Sequence, residues 1–293
     1  MFTGSMVALV TPMNRKGEID QASLYRLVEI HVQAGTAAIV VTGTTGEGAT
    51  LSASEKFEIC VMALDAAKGR IPIIAGTGAH STLESIYQTE QALKVGVAAC
   101  LVVTPYYNRP TQEGLYQHYL AIAKAVPIPI ILYNVPKRTA CDLLPETVAR
   151  LVDVSNIVGL KDATGDLARG RELVAICKDK ISLYSGDDSS ALAFILQGGK
   201  GVISVTANLA PKMVQEICVA ALASNIGLAG TLNNCLMPLH KALTVESNPI
   251  PVKWAMQELG WIQDGIRLPL TPLSELHHEG VREAMKNSGV VYG

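Results

Sequence analysis

Charge is scarce in this chain. Asp, Glu, Lys and Arg make up 17% of its 293 residues and leave a net charge of −2. An ordinary globular domain carries about a quarter. There is no run of like charges and no basic stripe interleaved with aromatics. Nucleic acids and anionic membrane surfaces are held by dense positive charge, so neither is expected as a partner. No apolar run approaches the roughly 20 residues of a membrane span. The opening MFTGSMVALVTP is too short, and too polar at its flanks, for a secretory signal, so a cytoplasmic location is expected. Cysteine is present six times, at 60, 100, 141, 177, 218 and 235, but never as a CxxC pair. Most of these lie in apolar surroundings such as AACLVV (98–103), which reads as buried free thiols in a reducing compartment rather than zinc ligands or disulfides. The histidines, His31, His80, His118, His240, His277 and His278, form no HxH or HExxH. The adjacent pair cannot share a helix face, so no metal site is expected. Nor is there a Rossmann or Walker pattern. GTTGEG (43–48) and GTGAHS (76–81) both miss the required spacing, which leaves nucleotide binding without support.

Hydrophobic residues, by contrast, make up 49% of the chain, enough for a large core. They fall into eight short runs rich in Val and Ile: 5–12, 37–45, 71–78, 99–107, 128–136, 157–164, 181–188 and 200–207. The runs are too continuous for a sheet with one wet face, and they predict parallel strands buried on both sides. Between them lie helical stretches at 21–35, 52–69, a third opening at Ser81, 111–125, 145–152, 166–178, 188–197 and 211–223. Ser52-x-x-Glu55 and Ser81-x-x-Glu84 read as capping boxes, and Gly35 and Gly69 as C-terminal stops. Eightfold alternation predicts an α/β fold, a (β/α)8 TIM barrel, over a doubly wound open sheet. The strand signal stops after residue 208. We read residues 1–224 as the barrel and 225–293 as a C-terminal helical region packed on it.

Barrel enzymes hold their chemistry at the C-terminal strand ends. Here those ends carry Thr44 and Thr45, Tyr106 and Tyr107, Tyr133 followed by Arg138, Lys161, the run Ser185-Gly186-Asp187, and Ile203-Ser204. These groups are expected to face one mouth. Lys161 stands out, because NIVGLKDATGDL (156–167) places an amine where an apolar strand residue is due. One reading is a lysine that snorkels to water. The other is an amine kept neutral by an apolar site and therefore able to form a Schiff base with a carbonyl substrate. Strand alternation puts Lys161 on the face of Ile157 and Gly159 and sends Asp162 to the other, so the neighbouring carboxylate does not hold its charge. Gly159 leaves room beside it. The phenols at nearby strand ends favour the catalytic reading.

GTTGE (43–47), TPYYNRP (104–110), YNVPKRT (133–139), GLKDATGD (159–166), SGDD (185–188) and GVISVTAN (201–208) resemble the dihydrodipicolinate synthases. The resemblance runs essentially end to end and includes NPIPVKWAMQELG (248–260) and RLPLTPLS (267–274). It implies a cofactor-free class I aldolase that condenses pyruvate with L-aspartate 4-semialdehyde in lysine and diaminopimelate biosynthesis. By the resemblance, Lys161 forms the Schiff base and Tyr133 shuttles protons. Thr44 links Tyr133 to Tyr107, which comes from the neighbouring subunit. Thr45 holds the pyruvate carboxylate, Arg138 holds that of the semialdehyde and helps position Tyr133, and Gly186 and Ile203 line the pocket. Sister enzymes such as N-acetylneuraminate lyase share the barrel, the lysine and the GxTGE loop, but resemble this chain less after the fifth strand. A non-enzymatic binding protein on the same barrel is the remaining alternative.

The resemblance also implies a homodimer at least, with a homotetramer as the usual assembly, and an allosteric lysine site around Gly48, Ala49, Ala53, Lys56, His80, Glu84 and Tyr106. Here the chain departs from the family pattern. Lysine-sensitive bacterial members tend to carry His or Glu in place of Lys56 and Asn in place of His80. A cationic Lys56 repels a cationic effector, so weak or absent lysine inhibition is expected.

Overall fold

Eight segments pair in sequence order, all parallel, into one closed barrel. They are β1 Gly4–Ala8, β2 Ala38–Val41, β3 Ile73–Gly76, β4 Ala99–Val103, β5 Ile130–Asn134, β6 Ile157–Asp162, β7 Ser182–Ser185 and β8 Gly201–Ser204. The computed structural model describes residues 2–290, so Met1 and the last three residues of the region read as 225–293 lie outside the described residues. Successive strand residues alternate between two separate cores. On β2, Ala38 and Val40 point into the barrel, whereas Ile39 and Val41 face the helices. Met6, Ile74, Leu101, Ile131, Tyr133 and Ile203 fill the interior. Because both faces are buried, the runs show no polar alternation.

Each strand is followed by helix: α1 Gln21–Gln33, α2 Ala53–Ala67, α3 Thr82–Val95, α4 Gln112–Ala125, α5 Pro136–Thr139, α6 Pro145–Leu151, α7 Leu167–Cys177, α8 Ala191–Leu196 and α9 Pro211–Leu222. Ser52 and Glu55 form the full reciprocal capping box. At Ser81 only half of the expected box forms. Ser81 caps the Glu84 amide, but the Glu84 carboxylate turns away to accept from Gln88 Nε2 at 2.6 Å. The four-residue α5, with Pro136 in its first turn, has no counterpart in the predicted elements, because one turn is too short to show helical periodicity. The strands are also shorter than the apolar runs. Past Val41 and Val103 the chain leaves the ladder and builds loops with the residues that follow.

Three more helices follow α9: α10 Ile226–Ala242, α11 Ile250–Glu258 and α12 His278–Asn287. α10 packs on α9, and α12 packs on α10. Among the described residues no helix is long and apolar enough to cross a membrane.

One expectation about β6 is corrected. Ile157 faces the outer core, not the side of Lys161. The pairing of β5 with β6 shifts between Ile130 and Ile131, so that Ile130 opposes Ile157 and Ile131 opposes Gly159. An extra residue reverses strand parity. From Gly159 onward the alternation is the expected one, and Lys161 and Asp162 take opposite faces. The space at Gly159 serves a neighbour rather than the lysine: a Cβ there would meet the Tyr184 ring at 2.9 Å.

Three histidines are structural. His31, His118 and His240 are buried, and each places Nδ1 within 2.9 Å of a threonine hydroxyl, Thr36, Thr82 and Thr206 respectively. Burial lowers the pKa of His31 to about 3 and of His118 to about 4, and that of His240 falls in the same direction. A base depressed in the folded state stabilises above its unfolded pKa and loses that contribution as pH falls. From the His31 and His118 shifts, stability should drop by about 4 kcal/mol between pH 7.5 and 5, above the range in which carboxylates titrate. Urea unfolding at these two pH values measures it, and a flat profile would show that these imidazoles accept protons in the fold.

Five of the cysteines are buried, Cys235 is exposed, and all six are free thiols. Burial pushes the thiols of Cys60, Cys100 and Cys218 up to about 12, which leaves them unreactive. Among the described residues no cluster of His, Cys, Asp or Glu could hold a metal ion.

Candidate active site

Lys161 sits near the C-terminal end of β6, directly opposite Tyr133 on β5. Both are buried, at 5% and 6% exposure. The lysine Nζ lies 4.3 Å from the centroid of the Tyr133 ring. No carboxylate lies within ion-pair distance of it among the described residues. The adjacent Asp162 is engaged on the other side of the strand. It pairs with Arg169 Nε at 3.1 Å and accepts from Asn134 Nδ2 at 3.3 Å. Arg169 also reaches Asp142 at 3.1 Å, and Asp142 accepts from Asn134 at 2.8 Å. Asn134 and Asp162 follow Tyr133 and Lys161 in chain and in register, so this polar clamp fixes the two strand ends against each other. The snorkelling reading of Lys161 fails on burial. Gly186 is required beside it, because a Cβ there would stand 2.8 Å from Lys161 Cε and 2.7 Å from Ala163 Cβ.

Above the strand ends opens a cavity of about 330 Å3, lined among others by Thr44, Tyr106, Tyr133, Arg138 and Asn248. Lys161, Gly186 and Ile203 are not on its lining, and the lysine meets it through the Tyr133 ring. Ile203 lies in the barrel interior with Tyr133. Thr45 stands behind the wall, buried, and its hydroxyl accepts from Asn248 Nδ2 at 2.9 Å. Arg138 is exposed at the mouth and donates to the Asn248 carbonyl at 3.1 Å. The Thr44 hydroxyl makes no hydrogen bond to either tyrosine among the described residues, so the implied relay is not closed within one chain.

Tyr107 corrects the expectation of a common mouth. It is 92% exposed and projects away from the cavity of its own chain. Its φ is +74°, a left-handed backbone that bulky residues rarely adopt. Strand alternation cannot foresee this, because residue 107 lies in the loop beyond β4.

Sequence reasoning missed three residues. The side chains of Glu47 and Lys253 form an ion pair at 0% and 4% exposure. Glu47 also accepts from the Arg267 amide at 3.0 Å, and Lys253 donates to the Thr11 carbonyl at 3.0 Å. This pair fastens the loop of Thr44 and Thr45 to α11. Burial pushes the Lys253 pKa below its usual range, and Glu47 opposes that push. Asn248 is the third. The only signal for it and Lys253 was the segment NPIPVKWAMQELG, to which the residue pattern attaches no chemistry.

A second, more open cavity of about 670 Å3 is lined by Gly48, Ala49, Lys56, His80, Glu84 and Tyr106, together with their neighbours. Ala53 is not on it. Lys56 Nζ donates to Gln88 Oε1 at 3.0 Å. Burial lowers the Lys56 pKa, against the raising influence of Glu84. Gly48, Ala49, Lys56 and Tyr106 line both cavities.

Residues 1–288 match the model of the dihydrodipicolinate synthetase family. The chain is 59% identical to the 4-hydroxy-tetrahydrodipicolinate synthase of Nitrosococcus oceani, over 99% of this chain and all of the relative. It is equally similar, at 59% and 99% coverage of both, to that of Thioalkalivibrio sulfidiphilus. Among solved structures, the chloride-inhibited dihydrodipicolinate synthase from Acinetobacter baumannii, complexed with pyruvate, superposes with a TM-score of 0.98 at 54% identity, covering 99% of this chain and 100% of that one.

Proposed function

We propose that this chain, which belongs to the dihydrodipicolinate synthetase family, condenses pyruvate with L-aspartate 4-semialdehyde to 4-hydroxy-tetrahydrodipicolinate through a Schiff base on Lys161. The carrying observation is a buried amine without a carboxylate partner among the described residues, set against a phenol at the C-terminal end of a barrel strand.

The lysine amine attacks the pyruvate ketone, and the resulting carbinolamine loses its hydroxyl as water. The protonated imine draws electrons from the methyl group, which loses a proton and becomes an enamine. The enamine carbon attacks the aldehyde, whose oxygen takes up a proton. Attack of the semialdehyde's own amine on the imine carbon then closes the ring and frees Lys161. A phenol serves both directions of proton transfer when a relay tunes it, the role given to Tyr133 with Thr44. Thr45 takes the pyruvate carboxylate. Arg138 takes that of the semialdehyde, because its planar fork matches a carboxylate in two places. Gly186 and Ile203 shape the space around the imine. In the same reading residues 225–293 are an appendage of the barrel that braces the site.

The test is direct. Wild-type protein should form product from both substrates, followed through a coupled reductase, and borohydride should trap pyruvate on Lys161. Absence of both turnover with the semialdehyde and a trapped pyruvate adduct would remove the reading.

The relay calls for a second copy to bring its Tyr107 to this mouth, so the protein is a homodimer at least, and a homotetramer by family resemblance. The exposure of Tyr107 and of Leu83, at 92% and 79%, supports a covered surface. Sedimentation velocity should show no monomer at assay concentration; a fully active monomer would take Tyr107 out of the mechanism.

Lysine should inhibit weakly or not at all. The amine of Lys56 stands in the cavity where the effector's own cationic groups would lie. Steady-state rates should be unchanged, within about twofold, at millimolar lysine; half-inhibition at micromolar lysine would refute this.

A further inference from the structure

Asn248 lines the cavity together with Ser247, Pro269 and Leu270 of the C-terminal region, and it touches two groups given to carboxylate recognition. Its side-chain Nδ2 donates to Thr45 Oγ1 at 2.9 Å, and its main-chain carbonyl accepts from Arg138 at 3.1 Å. Its Oδ1 is buried without a partner among the described residues, so the one protein bond of this amide is the bond to Thr45. We propose that Asn248 is a positioning residue that sets the polarity of the Thr45 hydroxyl, making it a donor to the substrate carboxylate, while its carbonyl steadies Arg138 for the second one.

The argument rests on what a hydroxyl can do. It has one proton to give and two lone pairs to offer. The amide N–H of Asn248 occupies a lone pair of Thr45. The Thr45 proton has no acceptor among the described residues, so it is free for an incoming anion. Without the amide the hydroxyl rotates, and with an acceptor in its place the proton turns inward. The bond spans 203 residues of sequence and joins the β2 loop to the segment before α11. Carboxylate recognition in the barrel is therefore completed by a residue from outside the barrel.

The inference rests on the Schiff-base reading above, and the test separates the two. Half-saturation by pyruvate is read from borohydride trapping on Lys161 by intact mass, which needs no second substrate. Asn248→Ala should raise that half-saturation about tenfold, the scale of one hydrogen bond to a charged group. Asn248→Asp, near-isosteric, should raise it further, because Thr45 would then donate to the new carboxylate. kcat at saturating pyruvate should stay within about threefold of wild type, a split that a general loss of structure does not produce. In the Thr45→Val background, Asn248→Ala should add nothing. Unchanged half-saturation in both Asn248 variants, or fully additive losses in the double variant, would overturn the proposal. Should Asn248→Ala fail to fold, Asn248→Asp carries the test. If wild type traps no pyruvate, the Schiff-base reading falls and takes this inference with it.

Discussion

Lys161→Ala should lower turnover on the order of 10^4-fold or more, the scale of losing a covalent nucleophile. The same variant should trap no pyruvate with borohydride. Lys161→Arg should be as inactive, because a guanidinium keeps the charge but does not act as a nucleophile at neutral pH. Stability should not suffer. The amine is buried at 5% exposure with no carboxylate partner among the described residues, so truncation removes a polar group whose burial is costly. We expect the melting temperature of Lys161→Ala to equal or exceed that of wild type. Residual turnover within a hundredfold, in a folded variant, would place the nucleophile elsewhere.

Lys253→Met should destabilise the fold by about 3–5 kcal/mol, since it leaves the Glu47 carboxylate buried without its partner. Burial at 0% and 4% sets this pair apart from surface pairs such as Arg15–Asp264, whose arginine is 84% exposed. Glu47→Gln in the same chain should recover most of the loss. A neutral amide oxygen still accepts from the Arg267 N–H, so the loop keeps that tie. Urea unfolding of the single and double variants closes the cycle. A cost below about 1 kcal/mol for Lys253→Met would mean that solvent reaches the pair. Because Glu47 shares a loop with Thr44 and Thr45, the single variant should also bind pyruvate more weakly.

The barrel was legible because both of its sheet faces are buried. Eight Val- and Ile-rich runs and the helices between them leave few alternatives, and the observed strands fall within those runs apart from Gly4, which opens β1 one residue before the first. Lys161 was legible for a related reason: a lysine in a strand otherwise apolar is a local contradiction, and functional sites are where such contradictions occur. The β5–β6 shift at Ile130/Ile131 was not legible, because parity counted from Ile157 assumes an unbroken ladder. Nor was the outward turn of Tyr107, which depends on a left-handed loop residue rather than on strand alternation.

Residue pattern alone carries the fold class, the strand ends that face the barrel mouth and the singling out of Lys161 as an amine buried on a strand, since each follows from periodicity or from a broken periodicity within a dozen residues. The partners of those groups do not. The Thr45–Asn248 bond and the Glu47–Lys253 pair join positions more than 200 apart in sequence. Their meeting depends on how α11 docks against the barrel. That docking buries the charge and places the amide, and no local signal in either segment encodes the distance between them.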